Sequence, residues 1–226
     1  MSARYLANRT GLQWAIGWLL AAMLVALAVP VQAQSARAKP APAPARTVLV
    51  MGDSLSAAYG LPARQGWVAL TAERIARQHP GWKVVNASVS GETTAGGRSR
   101  IARELQRHRP ALVVIALGAN DGLRGLPLAQ MKANLEAMVR AAKGSGARVL
   151  LLGMRLPPNY GRAYAQGFEE VYRQVARQHE VPLLPFLLEP IALNRDAFQS
   201  DNLHPTAAVQ PRLRDHVWTA LGPMLR

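Results

Sequence analysis

A chain of 226 residues, half of them hydrophobic, is long enough to fill one globular core and too short to argue for several. It contains no cysteine, which excludes structural disulfides, Cys-ligated zinc, a lipid-modified N-terminal cysteine and a thiol nucleophile. Its formal charge of +14 draws polyanions, whether nucleic acid, anionic lipid head groups or phosphorylated molecules.

The N-terminus reads as an address. Arg4 and Arg9 precede an uncharged apolar stretch, Leu12 to Val29, and Pro30-Val31-Gln32-Ala33 follows with small residues suited to cleavage. That order is a secretory leader, taken here as residues 1–33, for a protein exported to the periplasm. Ala38 is a second candidate end. The rival reading is an uncleaved anchor, because the stretch is near the length that spans a bilayer. Residues 34–46 alternate Ala and Pro, which keeps a linker extended and denies it a helix. The folded domain is expected over 47–226.

Five short apolar runs then read as strands: 47–52, 83–87, 111–117, 148–154 and, more weakly, 181–186. Continuous apolar runs suit a parallel sheet covered on both faces. Helical patterns separate them, at 66–79, 94–108, 128–142, 164–175 and 206–221. Leu128, Met131, Leu135, Met138 and Ala142 recur at three- to four-residue spacing, with Pro127 at the start and Gly144 past the end. Tyr164, Phe168, Val171 and Val175 repeat the pattern. Strand–helix alternation predicts a doubly wound, flavodoxin-like α/β sandwich with a five-stranded parallel sheet. The helix over 94–108 concentrates Arg98, Arg100, Arg103 and Arg107, with Arg109 beyond it. No interleaved aromatics accompany them, so the segment reads as a solvated face rather than a nucleic-acid site. Transient contact with an anionic lipid surface remains compatible with the charge.

Sheets of this kind place their sites outside the carboxyl ends of the strands. Three chemically useful positions follow strands directly: Ser54 in Gly52-Asp53-Ser54, Gly91 in Ser90-Gly91-Glu92, and Asn120 in Gly118-Ala119-Asn120-Asp121. Each read alone is equally a turn or a cap. Of five histidines, His79, His108 and His179 fall near helix C-termini and His216 within the last helix. His204 differs: Asp201 lies three residues before it and Pro205 directly after, so one loop can carry acid and imidazole together. Asp201 would fix the tautomer of His204 and leave its other nitrogen for Ser54. Backbone N–H groups of Ser54 and Gly91 and the Asn120 amide are candidate oxyanion donors. Leu156, Pro157 and Tyr160 follow the fourth strand and are candidates for an acyl channel, or equally for a rigid loop. Nothing calls for a metal or an organic cofactor.

Gly52-Asp53-Ser54-Leu55-Ser56, Gly91, Gly118-Ala119-Asn120-Asp121 and Asp201-x-x-His204-Pro205 resemble the Ser, Gly, Asn and His blocks of the SGNH, or GDSL-type, hydrolases. Gly118 to Gly125 and Arg155-Leu156-Pro157-Pro158-Asn159-Tyr160-Gly161 look like the bacterial periplasmic thioesterase I/protease I/lysophospholipase and arylesterase group. The resemblance implies a serine esterase acting on acyl esters or thioesters, with Ser54 as nucleophile, His204 as base, Asp201 as orienting acid, and Ser54, Gly91 and Asn120 as the oxyanion hole. It implies a monomer with a small-molecule substrate. A carbohydrate O-deacetylase with the same site, and a non-catalytic lipid-surface protein, are the alternatives. One departure is visible: Asn202-Leu203 stand where the family loop carries Gly-Ile or Gly-Val.

Overall fold

The computed structural model describes residues 45–226. The leader (1–33) and nearly all of the linker (34–46) lie outside the described residues. Arg46, read as the end of the linker, is the first residue of a strand. Among the described residues no helix is long and apolar enough to cross a membrane.

The five strands are β1 (Arg46–Gly52), β2 (Trp82–Asn86), β3 (Leu112–Ala116), β4 (Arg148–Leu152) and β5 (Leu183–Leu184). All pairings are parallel and the order is β2-β1-β3-β4-β5. Val48 sits opposite Val84 on one side and Leu112 on the other. Among the described residues, six α-helices pack around the sheet: α1 (Trp67–Gln78), α2 (Thr94–His108), a short α3 (Ala119–Leu123), α4 (Leu128–Gly144), α5 (Arg162–His179) and α6 (Gln210–Leu221). This is the flavodoxin-like order the alternation predicts.

The strands look uniformly apolar in sequence because each feeds two cores. Side chains alternate across a strand, so Val48, Val50, Leu112, Val114, Leu150 and Leu152 face one way, against Trp67 and Ile75 of α1 and Leu213 and Val217 of α6. Leu49, Met51, Val113, Ile115, Val149 and Leu151 face the other, against Met131, Leu135 and Met138 of α4 and Phe168 and Val175 of α5.

Two elements depart from expectation. The fifth strand shrinks to two residues because Pro182 and Pro185 flank it and neither has an N–H for the ladder. What pairing remains uses carbonyls: Leu151 N–H donates to Pro182 O at 3.0 Å and Gly153 N–H to Leu184 O at 2.8 Å. A side chain at Gly153 would strike the Pro185 carbonyl at 2.3 Å, which accounts for glycine where β4 ends. The second departure is α3, which the Asn-Asp-Gly composition disguises as a plain turn.

Candidate active site

The strand order reverses at β1, which pairs with β2 on one side and β3 on the other. A crevice at that point is where doubly wound sheets accept ligands. Ser54 follows β1 there, and Asn120 follows β3.

Ser54 lies in a tight turn outside β1. Ser56 and Ala57 N–H donate to the Asp53 carbonyl and Tyr59 N–H to that of Ser54, so the chain coils around the serine. The buried Asp53 carboxylate accepts from Leu55 N–H at 3.0 Å. Burial pushes this carboxyl up from 3.8 to about 6, against the opposing pull of the Leu55 N–H and the nearby His204 ring.

The histidine arrives on a constrained loop. Phe198 and Pro205 form an isolated antiparallel bridge. Gln199 N–H donates to His204 O at 2.8 Å and Thr206 N–H to Ala197 O at 2.8 Å. Within that loop Asp201 Oδ1 accepts from the backbone N–H groups of Leu203 and His204, at 2.9 and 3.0 Å, while Oδ2 meets His204 Nδ1 at 2.7 Å. The His204 backbone N–H is the largest cause holding the Asp201 carboxyl down to about 2, with the ring and the Leu203 N–H adding to it. His204 Nε2 is 2.8 Å from Ser54 Oγ. With Asp201 ionised, Nδ1 carries the proton and Nε2 is free to accept the serine proton.

The glycine at the family's Asp-Gly position has a reason here. Asn202 has φ +57°, the left-handed region that glycine adopts freely and asparagine tolerates best among the rest. Asn202 therefore keeps the turn, and with it the separation of Asp201 from His204.

Gly91, at φ +77°, also uses its freedom. It is not among the residues lining the cleft. Its carbonyl accepts from Arg124 at 3.0 Å, and the next carbonyl, of Glu92, accepts from Asn120 Nδ2 at 3.1 Å. The two loops are thus tied together. Among the described residues, neither the Ser54 nor the Gly91 N–H donates to a protein acceptor. An amide nitrogen has two protons; the Glu92 bond takes one of them and fixes the plane of the other.

Several supporting residues left little trace in the sequence. The buried Asp121 accepts from Thr94 N–H at 2.8 Å and from its hydroxyl at 2.5 Å. That hydroxyl accepts in turn from Asn134 at 3.2 Å, so α3 is pinned to the start of α2 and to α4. Gln199 Nε2 bridges the Tyr59 carbonyl (2.9 Å) and that of Pro205 (3.1 Å), joining the serine turn to the histidine loop. The Tyr59 ring lies 4.5 Å from the His204 ring, tilted by 37°. Only Asp121 carried a signal, as an acid beside Asn120 at a strand end; Tyr59 and Gln199 act through chain-distant contacts that no spacing announces.

A cleft of about 700 Å³ opens beside Ser54 and His204. Leu123, Met154, Leu156, Pro157, Phe186 and Leu188 give it an apolar wall, and Asn120, Arg155 and Arg195 also line it. Of the acyl-channel candidates, Leu156 and Pro157 are among its lining residues. Tyr160 is not among the lining residues: its hydroxyl donates to the Leu123 carbonyl at 3.2 Å, tying its turn to α3. Among the described residues no group of three or more His, Cys, Asp or Glu is placed to hold a metal ion.

A hydroxyl bonded to an imidazole, itself bonded to a carboxylate, at the carboxyl edge of a flavodoxin-like sheet puts the molecule among the serine-dependent ester hydrolases. Residues 50–210 match the GDSL-like lipase/acylhydrolase family, and the chain belongs to that family. It is similar to esterase TesA of Pseudomonas aeruginosa, with 51% identity over 180 residues, 80% of this chain and 90% of the relative. It is 39% identical to thioesterase 1/protease 1/lysophospholipase L1 of Escherichia coli K12, over 79% of this chain and 85% of that one. The crystal structure of the psychrotrophic esterase EstA from Pseudoalteromonas sp., inhibited by monoethylphosphonate, superposes with a TM-score of 0.76. It shares 38% identity and covers 80% of this chain and 98% of its own. The chain is an ester hydrolase.

Proposed function

We propose that Ser54 is the nucleophile, His204 the general base and Asp201 its orienting acid, in a two-step hydrolysis of carboxylic esters and thioesters. The observation that carries the reading is the continuous set of contacts from Asp201 Oδ2 through His204 to Ser54 Oγ, at 2.7 and 2.8 Å. His204 Nε2 takes the hydroxyl proton as Oγ adds to the acyl carbon. The Ser54 and Gly91 N–H groups and the free Asn120 amide proton receive the oxyanion. The tetrahedral adduct collapses, His204 returns the proton to the departing alcohol or thiol, and an acyl-serine remains. Water, deprotonated by His204, then cleaves that ester and regenerates the serine. Asp201 stays ionised throughout and balances the imidazolium.

The substrate class follows from the cleft. Its volume and apolar wall suit an acyl chain longer than acetyl, which favours aryl esters, lysophospholipids and acyl thioesters over acetylated carbohydrate. Thioester and lysophospholipid hydrolysis are also what the name of the Escherichia coli relative describes. We read residues 1–33 as a removed leader, 34–46 as a linker and 47–226 as a monomeric periplasmic hydrolase domain. In that compartment envelope lipids and exogenous esters are nearer at hand than cytosolic acyl-CoA, and contact with an anionic lipid surface is part of the same reading.

A fluorophosphonate tests the nucleophile. It should add to the chain once, with loss of fluoride, and the mass increment should map to the peptide containing Ser54. Ser54→Ala protein that still acquires the adduct, or wild-type protein labelled elsewhere, overturns the assignment.

A further inference from the structure

Four large hydrophobic side chains are exposed among the described residues: Tyr59, Val89, Leu193 and Leu203. Leu193 is wholly so, at 103% of its reference area. Scattered exposed hydrophobes are ordinary, but each of these connects to the cleft or to the loops that carry Ser54 and His204. Leu193 and Leu203 line the mouth of the cleft. Tyr59 lies against His204. Val89 donates its N–H to Gly52, two residues before Ser54. Exposed hydrophobes around an opening mark an interaction surface.

Two arginines beside them are not paired with a carboxylate among the described residues. Arg195 is exposed, lines the cleft two residues from Leu193, and has no ion-pair partner among the described residues. Arg124 is exposed and holds the Gly91 carbonyl rather than a carboxylate. The other nearby acids are engaged: Asp201 by His204, and Glu169 by Arg155 and Arg173. Asp196 and Glu189 are the exposed acids that remain, Glu189 with only the His216 ring nearby at 3.9 Å.

We propose that this rim docks the enzyme on an anionic phospholipid layer. Leu193 and Leu203 enter the acyl region, flanked by Tyr59 and Val89, while Arg124 and Arg195 meet the phosphates. An acyl chain then passes from the layer into the apolar cleft without crossing water. The inference rests on the reading of the cleft as an acyl site. Without the leader, which carries Arg4 and Arg9 and no acid, the chain keeps a net charge of 14 − 2 = +12, which makes an anionic surface, rather than a zwitterionic one, the matching partner.

The chain has no cysteine, so Leu193→Cys carries one environment-sensitive fluorophore on the full protein. Vesicles of ether-linked phosphatidylglycerol present an anionic surface with no acyl ester to cleave. The label at 193 should shift to the blue on these vesicles, and ether-linked phosphatidylcholine should need roughly tenfold more lipid for the same shift. Adding Arg195→Gln should raise the half-saturating phosphatidylglycerol concentration roughly fivefold. A label at Arg140→Cys, in the last turns of α4, should stay in water. No shift at 193, equal shifts at 193 and 140, or equal response to both lipids overturns the proposal. A shift that grows with protein concentration without vesicles assigns the rim to a second copy of the chain and overturns it too. Hydrolysis of a dissolved aryl ester by the unlabelled wild-type protein reads the catalytic assignment separately, so docking absent with hydrolysis present overturns only this inference.

Discussion

Among the described residues the Ser54 hydroxyl hydrogen-bonds to His204 alone, so it matters to chemistry and little to packing. Ser54→Ala should lower kcat by about 10³-fold or more while leaving thermal unfolding within a degree or two. His204→Ala should be nearly as severe, and the double variant no worse than either, because the two act as one unit. Additive losses in steady-state kinetics would contradict the shared role. Asn120 separates catalysis from a chance Ser–His contact. If its free amide proton meets the oxyanion, Asn120→Ala lowers kcat by about 10²–10³-fold with little change in KM. If the side chain serves only its bond to Glu92 O, stability falls and kcat in the folded fraction stays normal. The two carboxyls of the site, buried Asp53 and exposed Asp201, respond to pH with opposite signs. Asp201, depressed to about 2, contributes stability that is present above its ordinary 3.8 and lost as pH falls through 2. Asp53, raised to about 6, contributes stability that is present below 3.8 and lost as pH rises through 6. That difference corresponds to about 3 kcal/mol for so buried a carboxyl. Urea unfolding at pH 4 and 7.5 should therefore show Asp53→Asn gaining on wild type at the higher pH. A gap between the two proteins that is the same at both pH values would refute the shift.

At the scale of elements, legibility followed the range of the forces involved. Four strands and the long helices were readable because burial on a two-sided sheet imposes continuous apolar runs, and helix faces impose their period. The short β5 is longer by hydropathy than in the fold because hydropathy does not register the two prolines that remove its donors. The α3 helix is not legible in the sequence because it is held by Asp121 reaching Thr94, twenty-seven residues earlier in the chain, rather than by helix propensity. Ser54 is legible as a candidate from its place at a strand end, and Asp201 and His204 from their three-residue spacing before a proline. Tyr59 and Gln199 are not, because their roles exist only once two distant loops meet. The Asn202 turn shows how a departure from a family pattern can still keep its geometry. Asn202→Gly should be neutral to within about 0.5 kcal/mol, whereas Asn202→Ala should cost about 1 kcal/mol for a left-handed φ without a compensating side chain. It should also lower kcat, since the turn sets Asp201 against His204. Equal stability of the Ala and Gly variants would show that the loop relaxes out of this conformation.

For the whole molecule, the arginine-rich segment illustrates why net charge and charge placement differ. Arg100 is largely buried, paired with Glu92 and bonded to the Ala87 carbonyl at 2.6 Å, and Arg98 reaches Asn134. Part of the basic run therefore braces the loop next to Gly91 instead of forming a patch for a polyanion. What the molecule presents to substrates is the cleft, and its depth decides between a long-chain esterase and an acetyl esterase built on the same sheet. Each methylene moved from water to the apolar wall gains about 0.8 kcal/mol, close to a fourfold rise in kcat/KM where that gain is kept in the transition state. A series of p-nitrophenyl esters should accordingly climb in kcat/KM from acetate upward, then level off once the cavity of about 700 Å³ is filled. Leu156→Asp, which places a charge in the lining, should flatten the climb while leaving the acetate rate within a few-fold of wild type. An acetate optimum with longer chains excluded would sink the acyl-channel reading and select the carbohydrate O-deacetylase instead. Parallel slopes for wild type and Leu156→Asp would move the acyl chain to another wall of the cleft.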